Sequence, residues 1–178
     1  MKKGKKRFSI AVLLLLLLTV TIGFSALSTN LNILGTSKIG TVNWDVHFEN
    51  IGITSGSVTA TTAPTIDNAK TKITYAVELN TPGDFYEFTV DVKNAGTVDA
   101  KLESLPTLSG VSSTQAVYTD YTFKHSDGSA VAAGETIAAG SSRTYKVRVE
   151  FKSNVASADL PTTTQNMNLS VDMNYVQV

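Results

Sequence analysis

The feature that most constrains the fold of this chain is an alternation of apolar and polar residues that recurs after residue 40. In an extended strand, successive side chains point to opposite faces, so this alternation predicts strands with one buried and one exposed face. Turn signals such as Pro82-Gly83 and Asp127-Gly128 separate the stretches. The clearest alternating stretches are 42–48, 73–79, 86–92, 145–151 and 167–175.

Roughly seven to nine half-buried strands need a second sheet to cover their apolar faces. The sequence therefore predicts an all-β fold, an antiparallel β-sandwich of jelly-roll or immunoglobulin-like topology. No stretch after residue 30 has helical periodicity. The segments 52–68 and 104–119 are rich in small and polar residues and are predicted to form loops or weak edge strands.

The first 25 residues have the three parts of a signal peptide. Lys2 to Arg7 form a basic region, Ile10 to Ile22 form an apolar core, and small residues follow it. The basic region is expected to remain on the cytoplasmic side. We therefore predict that the chain is exported.

The predicted cleavage site lies between Ser25 and Ala26, where Gly23 and Ser25 supply the small residues that signal peptidases require. Cleavage before Thr29 also fits, because Ala26 and Ser28 are small. The competing interpretation is an uncleaved anchor, since residues 8–27 could just span a bilayer.

Charge and cysteine content exclude several classes of protein. The chain has 15 basic and 15 acidic residues, but five basic residues precede Phe8, which leaves ten basic against fifteen acidic residues afterwards. Nucleic-acid binding requires clustered Lys and Arg, and no such cluster follows Arg7. The absence of cysteine excludes disulfides and thiolate metal sites and favours an exported protein of a Gram-positive bacterium.

Candidate catalytic and metal-binding residues are few. The two histidines, His47 and His125, belong to no HExxH pattern and are predicted to be solvated surface residues. Ser57 and Ser142 have no recognisable paired base. We predict no catalytic residue, no cofactor and no metal ligand, and hence no enzyme. Four aspartates also lack calcium-loop spacing and are predicted to be solvated: Asp84, Asp91, Asp99 and Asp127.

Two parts of the chain resemble one family. The stretch Thr81–Ala100 resembles the PGD…F.F.V.N.G…A signature of the TasA/camelysin family of secreted Firmicutes proteins. The segments Gly23–Ser28 and Gly40–Trp44 resemble the signal end and first strand of that family. Leu27 replaces a family-typical aromatic residue, and the chain is shorter than TasA, so the resemblance is to the broad family.

The resemblance implies a jelly-roll subunit of extracellular biofilm-matrix fibres that is processed by a dedicated signal peptidase. It also implies donor-strand complementation, in which the freed N-terminus of one subunit completes the sheet of the next. Camelysin-like members are classed as metallopeptidases. No residues of this chain match a metal-ligand set, so that activity is not carried over.

The segment after the predicted cut suits strand addition independently of the family. Alternating side chains place apolar residues on one face, and Gly35–Gly40 separates them from the first alternating stretch. Backbone pairing along an open edge would supply affinity, and alternating side chains would supply register. The alternative is that the segment is the domain's own first strand or a linker. The possible donor-strand residues are Leu27, Thr29, Leu31 and Ile33.

The sequence thus predicts a signal peptide over residues 1–25, an extended segment over 26–37 and a β-sandwich domain over 38–178. The predicted function is a secreted structural protein, a cell-surface or biofilm-matrix fibre subunit. Its expected partners are identical or related subunits and, during export, a signal peptidase, with membrane contact only through the signal segment. The alternative is an immunoglobulin-like adhesin or binding module, for which Phe85 and Tyr86 are candidate exposed aromatic contacts. Core packing of at least one of the two is the favoured interpretation.

Overall fold

The computed structural model describes residues 8–16 and 32–178. Residues 8–16 form a helix, and residues 32–45 form no regular secondary structure. The chain divides into two compact units, Met1–Gly40 and Thr41–Val178. Every strand described below belongs to the second unit.

The second unit is built from strands and two short 3-10 helices, Gln115–Val117 and Ser157–Asp159. The strands are β1 (Val46–Gly56), β2 (Ala60–Ile66), β3 (Ile73–Val77), β4 (Phe85–Asn94), β5 (Ala100–Leu102), β6 (Thr107–Ser109), β7 (Thr119–His125), β8 (Thr136–Ile137), β9 (Ser142–Phe151), β10 (Ser170–Asp172) and β11 (Tyr175–Gln177).

A four-stranded antiparallel sheet forms one layer, with the strand order β1-β4-β9-β7. Three smaller antiparallel sheets accompany it: β2 with β3, β6 with β10, and β5 between β11 and β8. Apolar residues of these sheets pack against the inner face of the main sheet. The predicted all-β, sandwich-like fold is therefore confirmed.

The core lies on the inner face of the two central strands, β4 and β9. Their alternation is regular, and every inward position from Tyr86 to Asn94 on β4 and from Tyr145 to Phe151 on β9 is buried. Burial of these large apolar side chains is the main favourable term for folding. The core cluster consists of Tyr86, Phe88, Val92, Phe123, Ile137, Tyr145, Val147 and Val149.

Specific contacts join the main sheet to the smaller sheets. The ring of Tyr75 on β3 meets Phe88 on β4 edge to face, with centroids 5.0 Å apart. The hydroxyls of Tyr145 on β9 and Tyr175 on β11 lie 2.8 Å apart. The amide of the fully buried Asn94 donates to the carbonyl of Ile137, which connects β4 with β8. The two hydrogen bonds fix how the two layers face each other.

Three local expectations change in the structure. The alternating residues 42–45 lie outside β1, because the carbonyls of Asn43 and Asp45 accept hydrogen bonds from the turn after β4 rather than from a strand. The segment 52–68 is mostly strand, so its edge-strand alternative applies and its loop alternative is wrong. The single strand expected over 167–175 is divided into β10 and β11, where Glu103 N–H binds the Asn174 carbonyl between the two ladders.

Candidate assembly edge

The direction of the backbone groups of β7 follows from its pairing with β9. The N–H of Lys152 donates to the carbonyl of Tyr118, and the N–H of Ser126 donates to the carbonyl of Thr144. Each of these pairs matches the register in which His125 faces Tyr145. In an antiparallel pair the hydrogen-bonded positions alternate, so the even-numbered residues of β7 direct their backbone groups toward β9.

The odd-numbered residues of β7 direct their backbone groups away from β9. Within residues 32–178, Thr119, Tyr121 and Phe123 belong to no ladder on that side, and no backbone hydrogen bond joins these groups to a turn or loop. A row of open N–H and C=O groups is a site at which another extended segment can add. We refer to residues 119–123 as the open edge.

A groove of about 240 Å³ lies beside the open edge, between β6 and β7. Its size suits inserted side chains rather than a whole strand. Apolar and polar residues both contribute to the groove. Its lining consists of Leu108, Ser109, Val111, Ala116, Thr119, Asp120, Tyr121 and Lys152.

The open edge is closed at both ends. At one end Thr119 is buried, with 5% of its surface exposed, and the 3-10 helix Gln115–Val117 ends two positions before it. At the other end the N–H of His125 donates to the carbonyl of Ser129, and the N–H of Gly128 donates to the carbonyl of His125. The loop after β7 therefore occupies the next edge position.

A carboxylate holds this loop in place. Glu135 accepts a hydrogen bond from the N–H of Ala132 and one from Arg143, and its Oε1 lies 3.1 Å from Nε2 of His125. Burial acts to raise the pKa of Glu135, but the hydrogen bonds from Ala132, His125 and Arg143 outweigh it and lower that pKa below its usual value. Glu135 and these three partners are called the Glu135 clamp below.

The opposite edge of the main sheet is less open. β1 pairs with β4 on one side. On its other side, the N–H of Phe48 donates to the carbonyl of Lys70 at 2.8 Å. The loop between β2 and β3 thus occupies part of that edge, which makes β7 the better candidate for strand addition.

Most of the predicted N-terminal site residues lie outside the described residues. Ile33 and Leu34 are described, and they are 96% and 93% exposed. Within residues 8–16 and 32–178, no helix is long and apolar enough to cross a membrane. Cleavage and donor-strand roles therefore remain predictions for the residues beyond the described ranges, which are Ser25, Ala26, Leu27, Thr29 and Leu31.

The prediction that both histidines are solvated is wrong. The side chain of His47 is 13% exposed, and its Nδ1 lies 2.7 Å from the Asp45 carboxylate. The side chain of His125 is 16% exposed, and its ring stacks against Tyr145. The neighbouring residue Phe48 packs against the core, so His47 lies on the other face of β1, as the alternation predicts.

The remaining sequence candidates have structural partners. Ser57 accepts a hydrogen bond from the N–H of Phe85, and Asp84 accepts hydrogen bonds from the N–H groups of Asn80 and Thr81. These backbone donors lower the pKa of Asp84. In the described ranges, no group of three or more His, Cys, Asp and Glu side chains could hold a metal ion.

Sequence reasoning did not identify the open edge or the Glu135 clamp. Tyr121 and Phe123 signal a strand, but a strand's position at the edge of a sheet depends on partners distant in sequence. The only local signal is the Asp127-Gly128 turn, where Gly128 has φ +89°. Comparisons with protein-family models, with curated proteins and with solved structures found no match.

Proposed function

We propose that this chain is a secreted structural protein, the subunit of a cell-surface or biofilm-matrix fibre of a Gram-positive bacterium. Its N-terminal segment adds as a strand to the open edge of β7 in the next subunit. A signal peptidase releases that segment during export. This assignment agrees with the resemblance of Thr81–Ala100 to the TasA/camelysin family.

The observation that carries the proposal is the open edge with its adjoining groove. Open backbone groups on β7 supply the hydrogen bonds of an added strand. Leu108 and Val111 line the groove and offer apolar contact. An added strand would cover both features at once.

The chemistry of the N-terminal segment matches this edge. Residues 26–37 contain no charged residue, so burial of the segment leaves no unpaired charge. In an extended conformation, Leu31 and Ile33 share the face that would point into the groove, and Asn30 and Asn32 share the other.

The N-terminal segment joins the domain at one place and the groove lies at another, which favours an open chain of subunits. The domain begins at Thr41, close to the turn after β4, because the carbonyl of Asn43 binds the N–H of Thr97. The groove lies at the other end of the main sheet, where Thr119 faces Phe151, and on its opposite edge. A contact between two different surfaces of one molecule forms filaments unless rotation closes a ring.

Aromatic residues also favour a structural role over a binding module. Tyr86 packs in the core, and the guanidinium of Arg148 lies 3.8 Å from the ring centroid of Phe85. The same arginine pairs with Glu87 and Glu150. The two aromatic residues that a binding module would offer to a ligand thus have partners within the domain.

The test uses the full chain, produced in a secreting Gram-positive host, and its exported product viewed by electron microscopy. Leu31→Asp with Ile33→Asp places two charges on the groove-facing side of the segment and is expected to abolish filaments, because buried charge opposes insertion. Asn30→Asp with Asn32→Asp adds the same charge to the opposite side and is expected to leave filaments intact. If the two double variants behave alike, or if the unaltered product never assembles, the proposal fails.

A further inference from the structure

An open strand edge can pair with a second copy of itself. If two β7 edges met antiparallel about Thr122, Tyr121 of one copy would face Phe123 of the other and exchange hydrogen bonds. Asp120 would then face Lys124, a favourable pair of opposite charges. The side chains of β7 therefore do not prevent such pairing, and edge-to-edge association is the usual hazard of an exposed strand.

The loop after β7 opposes this pairing. The same register requires Thr119 of one copy to exchange hydrogen bonds with His125 of the other. Both backbone groups of His125 are already occupied, its N–H by Ser129 and its carbonyl by Gly128. Pairing about Tyr121 instead would bring this loop against the partner's 3-10 helix Gln115–Val117.

We propose that the Glu135 clamp determines which partner the open edge accepts. By holding the loop against His125, the clamp excludes a second β7 edge. The open edge, residues 119–123, then forms a slot that only a short extended segment can enter. The identity of that segment, residues 29–33 of another copy, rests on the proposed function. The exclusion of a second β7 edge does not.

The dimensions of the slot fit a short segment. Five residues of strand, 119–123, extend for about 17 Å. A free N-terminal segment brings no folded body beside its pairing residues, whereas a second β7 brings its own loop and 3-10 helix. The closed ends thus admit a free segment and exclude a second β7 by shape. The open backbone groups of residues 119–123 supply the hydrogen bonds to the segment.

The partners of Glu135 come from the loop and from β9 as well as from β7, so the clamp fixes the position of the loop. Ala132 belongs to the loop, His125 ends β7, and Arg143 lies near the start of β9. Glu135 itself directly precedes β8. Loss of its charge weakens three contacts that together join the loop to both layers.

The experiment measures disulfide formation through Thr122→Cys, which is possible because the chain has no cysteine of its own. In a β7–β7 pair about Thr122, the two introduced thiols would face each other at a non-hydrogen-bonded position. All variants carry Leu31→Asp and Ile33→Asp, so that pairing through the N-terminal segment does not contribute. Full chains are exported, purified and oxidised at matched concentrations.

Addition of Glu135→Gln is expected to accelerate dimer formation about tenfold, the effect of losing a hydrogen bond to a charged group. Glu78→Gln removes the same charge at an exposed position outside the strands and is expected to change nothing. Equal rates with Glu135→Gln and Glu78→Gln, or rapid dimer formation with the clamp intact, would overturn the inference.

Amide hydrogen exchange in the unaltered chain provides a measurement that does not depend on variant folding. In the monomer, the amides of Tyr121 and Phe123 are expected to exchange much faster than that of His125. Rapid exchange at His125 would show that the loop does not close the edge. Failure of the proposed function would instead appear as filaments that ignore the Leu31 and Ile33 substitutions, whatever the exchange at His125.

Discussion

At the scale of single residues, Tyr86 and Tyr145 show how differently two buried hydroxyls are used. Both rings lie in the core, and burial raises the pKa of both phenols. The hydroxyl of Tyr145 binds that of Tyr175, while the buried hydroxyl of Tyr86 has no hydrogen-bond partner within the described residues. An unpaired buried hydroxyl costs free energy that a paired one does not.

Tyr86→Phe is therefore expected to raise the free energy of unfolding by about 1 kcal/mol, because it removes a polar group that burial leaves unsatisfied. Tyr145→Phe removes the same atom from a paired position and is expected to lower that free energy by about 1 kcal/mol. Urea denaturation of both variants measures the difference. Destabilisation by Tyr86→Phe equal to that by Tyr145→Phe would contradict this account of the two hydroxyls.

At the scale of elements, the strands with regular alternation are those that sequence predicts best. In β4, the inward residues Tyr86, Phe88 and Val92 are all buried, as the alternation predicts. Alternation reports the face of a residue, but it does not report which strands are neighbours. The edge position of β7 therefore could not be predicted, because its partner in the main sheet, β9, begins 17 positions after β7 ends.

The Glu135 clamp illustrates the same limit for side chains. In sequence, Glu135 follows a glycine in a stretch of small residues and resembles an exposed loop position. In the structure its side chain is 18% exposed, because partners from β7, the loop and β9 converge on it. Such convergence depends on the folded arrangement of three elements and leaves no local pattern.

The clamp predicts how stability depends on pH. The folded-state pKa of Glu135 lies below its ordinary value of 4.5. Its contribution to stability is therefore fully present above about pH 4.5 and is lost as the pH falls through the folded-state pKa. Glu135→Gln is expected to cost about 2 kcal/mol at pH 7, the order of a hydrogen bond to a charged group, and to flatten the decline below pH 5.

Urea denaturation between pH 3 and pH 7 tests this dependence. The carboxylate of Glu78 is exposed, so Glu78→Gln is the matched control and is expected to leave the profile nearly unchanged. Parallel pH profiles for the unaltered chain and Glu135→Gln would show that the clamp does not contribute in this way.

At the scale of the whole molecule, the point where the chain enters the domain and the open edge lie far apart on the main sheet. The chain enters the domain beside the turn after β4, whereas the open edge lies on the far strand and at the other end of the main sheet. The proposed function joins these two different surfaces of successive copies, an arrangement that extends a filament unless rotation closes a ring. The residues after Arg7 include fifteen acidic and ten basic residues and so carry a net negative formal charge.

The most direct test of this central claim is a disulfide between two singly substituted chains. One chain carries Ile33→Cys in the N-terminal segment, and the other carries Ala116→Cys in the groove, an exposed position. On mixing under mild oxidation, the account predicts a mixed disulfide dimer, and far less of it when Ala63→Cys on the exposed face of β2 replaces Ala116→Cys. Equal yields with Ala116→Cys and Ala63→Cys would contradict strand addition at the β7 edge.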